Sequence, residues 1–229
     1  MTKTSLISII TFCAIILAAF VYYQKIVYKS THITSSEKTQ LEKLTPLDEI
    51  KEGDLIFQES QSGQSKAIQL ATHSKYSHCG IIYRDTSGFN VYEAVQPVKF
   101  TPLDEWIVRG KNRHYVIKRL KDARELLTPE ALKKMKQVGN KFAGKNYDLY
   151  FEWSDDRFYC SELIYKIYER GAGIKIGVLQ KLKDFDLSSP EVKQKLQERY
   201  GNKIPLEDSV VSPTSIFDSD QLITIKSSE

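Results

Sequence analysis

An α+β fold, with several antiparallel strands and helices set apart from them, follows from three features of this chain. Two apolar, β-rich runs flank the turn Asp85, Thr86, Ser87 and Gly88, which makes a hairpin. Thr128-Pro129 and Ser189-Pro190 each pair a capping residue with a proline at the first helical position, which opens a helix. Cys160, Leu163, Ile164, Ile167 and Tyr168 fall on one stripe at helical spacing, which marks a third long helix with a buried face.

Residues 1–29 stand apart from the rest. Leu6 to Tyr23 is almost free of charge behind Lys3, at the lower length limit for a membrane span and longer than most signal-peptide cores. Ala18 and Ala19 suit a cleavage site, whereas the bulky Phe20 to Tyr23 run and the following Lys25 and Lys29 suit an uncut anchor, which is the preferred expectation. Cys13 follows Phe12, where a lipid-modified cysteine requires a small residue, so its role is apolar. Residues 30–50 are polar and aperiodic, as a linker is, and residues 51–229 form the body.

Within the body, Asp54 to Gln58 reads as a strand and Gly63 to His73 as a short helix. Ser77 to Arg84 and Phe89 to Val95 are the two arms of the hairpin, followed by a helical turn at Pro102 to Val108 and a strand at His114 to Leu120. Thr128 to Phe142 is the first long helix; the second opens at Cys160, and Gly171 stands where a left-handed cap closes such a helix. A helix from Ser189 to about Tyr200 and a strand at Gln221 to Ile225 complete the series.

With 229 residues, 41% of them hydrophobic, the chain can bury one substantial core. Its net charge of +4 comes from lysines interleaved with Asp and Glu. A basic stripe with interspersed aromatics is missing, so a nucleic acid partner is not expected.

Cys160 carries the chemical argument. In the first turn of a helix, unpaired backbone N–H groups favour thiolate over thiol. A thiol nucleophile also needs a base and a group that orients the base. If residue 84 lies opposite 89 across the hairpin, Gly80 faces Glu93 and His78 faces Val95, which sets Glu93 diagonal to His78 on one face, roughly 7–8 Å away. A slip of one residue would put them on opposite faces. Glu93 lies between Tyr92 and Ala94 in an apolar strand, where a buried carboxylate requires a partner, and an imidazole N–H suits it. The alternative is a Glu93 turned outward and a His78 that is merely packed.

The other candidates are weaker. His73, His78 and Cys79 with Cys160 lack a paired-ligand spacing and have no carboxylate close in sequence, so no metal or other cofactor is expected. His32 and His114 have no companion. A Cys79 to Cys160 disulfide is compatible with an extracytoplasmic location. Strand alternation, however, sends Cys79 to the face opposite His78, so Cys160 is expected to meet His78 and not Cys79.

Glu52-Gly53-Asp54 ahead of an apolar strand, Tyr76-Ser77-His78-Cys79-Gly80-Ile81, Tyr92-Glu93-Ala94 and Tyr159-Cys160-Ser161-Glu162-Leu163 occur in that order. Together they resemble the YaeF/YiiX family of permuted papain-like enzymes, within the NlpC/P60 superfamily, over nearly the whole body. The resemblance implies a circularly permuted papain-like fold, an antiparallel sheet or barrel packed against helices, with the histidine ahead of the cysteine. It implies Cys160 as nucleophile, His78 as base and Glu93 as the residue that orients the histidine. Gly144-Lys145-Asn146-Tyr147 is similar to the Gly-x-x-Tyr segment of NlpC/P60 enzymes, which makes Tyr147 a candidate oxyanion donor; the alternative is ordinary packing. The chain departs from the usual NlpC/P60 pattern at Tyr159-Cys160-Ser161-Glu162, where Asp-Cys-Ser-Gly is common, and at Asp148-Leu149, where a glycine pair is.

The function so implied is that of a cysteine amidase or peptidase of the cell envelope, periplasmic or otherwise extracytoplasmic, acting on cell-wall peptides. One alternative is a lipid acyl hydrolase or acyltransferase held at the membrane by the N-terminal segment, for which an apolar groove beside Cys160 is expected. The other is an envelope-binding module without enzymatic activity.

Overall fold

A computed structural model describes residues 50–228; the segments expected as anchor or signal and as linker lie outside it, Ile50 apart. The chain runs through β1 (Leu55–Ser60), α1 (Ser65–Thr72), β2 (His78–Asp85), β3 (Gly88–Glu93), β4 (Lys99–Pro102), α2 (Leu103–Arg109) and β5 (Gly110–Leu120). It continues through α3 (Ala123–Leu126), α4 (Pro129–Phe142), β6 (Asn146–Tyr147), β7 (Arg157–Phe158), α5 (Cys160–Ala172) and β8 (Gln180–Lys181). A 3-10 turn (Leu182–Asp184), α6 (Pro190–Tyr200), β9 (Ser209–Val210), α7 (Pro213–Phe217) and β10 (Leu222–Ser227) follow. Among the described residues no helix is long and apolar enough to cross a membrane.

Six strands form one antiparallel sheet in the order β10-β5-β1-β2-β3-β4. Leu55 to Gln58 of β1 are all buried, because β1 is flanked by β2 and β5 in the middle of the sheet. The hairpin has the register expected from its turn: Arg84 pairs with Phe89 and Ile81 with Tyr92. Thr128 and Ser189 cap α4 and α6 as their sequences require, accepting from the N–H groups of Ala131 and Val192 at 3.2 Å each.

Helix α5 is more deeply sunk than its stripe implies, since every residue from Cys160 to Tyr168 is buried. Its buried polar members are hydrogen-bonded to partners. Lys166 Nζ donates to Glu162 Oε1 at 2.7 Å and to Asp155 Oδ1 at 3.0 Å, which makes burial of the pair tolerable.

The end of α5 corrects the sequence reading. The left-handed cap is Gly173, at φ 73°, while Gly171 is helical. Gly171 serves a different need, because a Cβ there would sit 2.6 Å from Met135 Cα and 2.8 Å from Met135 N on α4. The pattern of a glycine near a helix end was the same for either role; only the packing of α4 on α5 separates them. Gly171→Ala is therefore expected to force the two helices apart and destabilise the fold by about 1–3 kcal/mol, seen as a lower urea midpoint. An unchanged midpoint would show that the contact is not tight.

Candidate active site

The site forms where the start of α5 meets the start of β2. His78 is the first residue of β2, Glu93 the last of β3 and Cys160 the first of α5. Gly80 lies between the first two and carries no side chain for a physical reason: a Cβ would come within 2.3 Å of Val91 Cγ1 and 3.0 Å of the Tyr92 carbonyl oxygen. The bare backbone leaves room for Glu93 to reach its diagonal neighbour. His78 Nε2 and Glu93 Oε2 are 2.6 Å apart.

Glu93 is fully buried, yet both its oxygens are satisfied. Thr101 Oγ1 donates to Oε1 at 2.6 Å, Trp106 Nε1 donates to Oε2 at 2.9 Å, and Arg109 Nη2 also donates to Oε1. Burial pushes the carboxyl upward, but the His78 hydrogen bond and charge, with Arg109 and Thr101, prevail and hold it at about 2. The imidazole of His78 stacks on the Trp106 ring at 5.9 Å between centroids and 24° between planes. Its position is thus fixed from the side as well as from the end.

With Nε2 engaged by Glu93, Nδ1 is the ring nitrogen left for Cys160, whose sulfur is near enough to shift the imidazole and be shifted by it. Hydrogen bonding from Cys79 holds the Cys160 thiol well below its ordinary value; burial opposes this, and His78 adds to it. His78 moves the other way. Burial would lower it, but its bonds to Cys160 and Glu93 raise it to about 9. The resting pair is therefore thiolate and imidazolium.

Cys79 corrects the alternation argument. Both cysteines are free and buried, yet Cys160 is perturbed by His78 and Cys79 together, so both lie beside its sulfur. Cys79 and Ile81 share the core with Leu163, Ile164 and Ile167 of α5, and Cys160 in the first turn of α5 stands beside the first residues of β2, where both His78 and Cys79 come within its reach. Burial and the adjacent Cys160 sulfur push the Cys79 thiol well up, so it stays protonated.

Tyr147 enters from β6, which pairs in parallel with β7 just ahead of α5. Its backbone N–H donates to Gln96 Oε1 at 2.8 Å, and its hydroxyl accepts from Gln64 Nε2 at 2.7 Å. Burial and then the charge of Cys160 hold its hydroxyl well above the usual phenol range, hence neutral. All four residues singled out in the sequence come together here. Thr101, Trp106, Arg109, Gln64 and Cys79 were not foreseen; the available signal was Trp106 and Arg109, three apart on one helical turn soon after a carboxylate that needed donors.

Two depressions meet at this point. Cys160 and Tyr147 line a narrow, almost wholly apolar cavity of about 90 Å³, walled by Ile68, Ala71, Leu182, Phe185, Leu196 and Val211 among others. His78 opens instead on a broad groove of about 1060 Å³, where Gln58, Ser60, Gln96 and Arg109 set polar groups into a wall that is otherwise mostly apolar. Among the described residues no group of three or more His, Cys, Asp or Glu side chains is arranged to hold a metal ion.

Residues 49–226 match the family described as permuted papain-like amidase enzymes, YaeF/YiiX, C92 family. The chain belongs to this family. It is similar to the protein YiiX of Escherichia coli strain K12, described as uncharacterized, with 51% identity over 173 residues that cover 76% of this chain and 84% of the relative. It also resembles the crystal structure described as metalloprotein yiiX from Escherichia coli O157:H7, with a TM-score of 0.74 and 50% identity over 78% of this chain and 97% of that one. As a C92 family member the protein is a papain-like cysteine amidase with the permuted α+β fold, in which His78 precedes Cys160.

Proposed function

We propose that this amidase cleaves an amide whose acyl half is apolar and whose amine half is polar, with Cys160, His78, Glu93 and Tyr147 as its working residues. The observation that carries the reading is Cys160 beside a His78 that Glu93 holds at 2.6 Å, set at the mouth of an apolar cavity. The Cys160 thiolate attacks the carbonyl carbon, and the developing oxyanion is held by the Cys160 backbone N–H and the Tyr147 hydroxyl. Imidazolium His78 then gives its Nδ1 proton to the departing amine, which leaves along the wider groove. Neutral His78 takes a proton from water, the hydroxide attacks the thioester, and the acid departs with the thiolate restored. Glu93 keeps Nε2 protonated throughout.

The cavity favours an acyl-chain substrate over the cell-wall peptide stems that the resemblance put first; the polar side chains Gln58, Ser60, Gln96 and Arg109 in the wider groove are what support peptide on the amine side. A place in the cell envelope, with residues 1–29 as anchor, belongs to the same reading, since a membrane-held enzyme meets amphiphilic amides at their own surface. No metal enters it: the word metalloprotein describes the structural relative, and here Glu93 is saturated by protein donors while Cys160 is committed to His78.

The test is a series of N-acyl amides of increasing chain length, run beside muropeptides, with intact-mass detection of an acyl adduct on Cys160. Each methylene that enters the cavity is worth about 0.8 kcal/mol, so kcat/KM is expected to climb about fourfold per carbon until the cavity is full. Cleavage of muropeptides without chain-length dependence would move the substrate to the cell wall. Turnover of neither would leave an envelope-binding module.

A further inference from the structure

We propose that Gln64 and Arg199 are positioning residues that aim the Tyr147 hydroxyl proton at the substrate carbonyl oxygen; this rests on the reading of Tyr147 as an oxyanion donor. Arg199 Nη2 lies 2.7 Å from Gln64 Oε1. A guanidinium has donors only, so the partner atom it faces must be the amide oxygen and not the amide nitrogen. That fixes the orientation of the whole Gln64 side chain. Nε2 is turned to Tyr147, whose hydroxyl oxygen is 2.7 Å away. An amide nitrogen donates and does not accept, so the Tyr147 oxygen is the acceptor and its own proton is left free. The cavity shared by Tyr147 and Cys160 is where that proton can point.

A glutamine with the opposite amide orientation would take the hydroxyl proton through Oε1 and turn it away from the reaction. Arg199 prevents this. Its guanidinium is itself held over the Phe151 ring at 4.9 Å from the centroid, so it cannot follow a flipped amide.

The position of Gln64 gives independent support. It is the residue immediately before α1, where Ser, Thr, Asp or Asn would stabilise the helix start, and its side chain makes no capping bond. Its two polar ends instead reach partners 83 and 135 positions away in sequence. A local rule is broken and the side chain is spent on the site, which is where such breaches concentrate. Removing that side chain therefore leaves the helix start as it was.

The experiment is steady-state kinetics on the amide that the enzyme turns over best, with melting midpoints recorded for every variant. Tyr147→Phe is expected to lower kcat on the order of 10²-fold, as loss of one oxyanion donor does. Gln64→Glu is nearly isosteric and still accepts from Arg199, but it captures the Tyr147 proton, so it is expected to match Tyr147→Phe in kcat with KM unchanged. Arg199→Met, which frees the amide to flip, is expected to cost several-fold and serves as the second test if Gln64→Glu folds poorly. Each of these losses should vanish, to within about twofold, when added to Tyr147→Phe. Full kcat in Gln64→Glu, or a loss that multiplies unchanged in the Tyr147→Phe background, would overturn the proposal. Full kcat in Tyr147→Phe alongside a dead Cys160→Ala would instead remove the oxyanion role of Tyr147 and leave the nucleophile standing.

Discussion

Cys160→Ala is expected to yield a folded protein that hydrolyses no amide above background, a fall in kcat on the order of 10⁴ to 10⁶. No other group in the site can replace the sulfur: the neighbouring Cys79 is held protonated by burial, with the charge of Glu93 adding to it, and both persist when Cys160 is gone. The same asymmetry predicts the labelling pattern of the unmodified enzyme. Iodoacetamide reacts with thiolate, so Cys160 should alkylate well below pH 9 and ahead of Cys79. The pH dependence has a definite sign. The active pair is thiolate with imidazolium, so activity persists through neutral pH and is lost as His78 gives up its proton near about 9. His78 is raised in the folded state, so its contribution to stability is complete below its ordinary value of 6.5 and fades as pH rises through about 9. A Cys160→Ala enzyme with undiminished turnover, or equal alkylation of both cysteines at neutral pH, would remove the basis of the mechanism.

What the sequence conveyed about this site followed the reach of local rules. The turn at Asp85 to Gly88 set the hairpin register, and the register alone brought Glu93 to His78, because both lie within a few residues of one turn. Caps and proline placed α4 and α6 for the same reason. The failures all involve contacts between distant segments. Gly171 looked like a cap until the backbone of Met135 was seen against it. Cys79 was excluded by an alternation rule that ignores how the first turn of α5, beside the first residues of β2, reaches two consecutive side chains at once. Gln64 and Arg199, 135 residues apart, carry no pattern that either segment could reveal alone. The apolar cavity is of the same kind, being assembled from α1, the turn at Leu182–Asp184, α6 and the segment around Val211. Substrate preference was thus the part of the function least legible in the chain, while the nucleophile and its base were the most.

Glu93 is where the second large effect is expected, and two substitutions divide it into fold and chemistry. Glu93→Ala strips the acceptor from His78, Thr101, Trp106 and Arg109 at a fully buried position, so it should destabilise the protein by about 3–5 kcal/mol. Glu93→Gln keeps the shape and one acceptor, and Arg109, whose side chain is 44% exposed, can turn to water. It is the variant that reads the chemistry. With a neutral partner His78 loses one of the two partners that raise it, so the alkaline limit of activity should move down from about 9 toward the ordinary histidine value of 6.5. The imidazole also loses the carboxylate that selects its tautomer, and kcat should fall by roughly 10² to 10⁴. Glu93 is depressed to about 2 from 4.5, so the stability it contributes is present above pH 4.5 and is lost as pH falls toward 2; the gap in stability between the unmodified enzyme and Glu93→Gln should close over that same interval. An unshifted alkaline limb with full kcat in Glu93→Gln would mean that the carboxylate only fills space beside the histidine. The expected pair of shifts, one in rate at high pH and one in stability at low pH, arises only if a single buried carboxylate holds the imidazolium that the Cys160 thiolate needs.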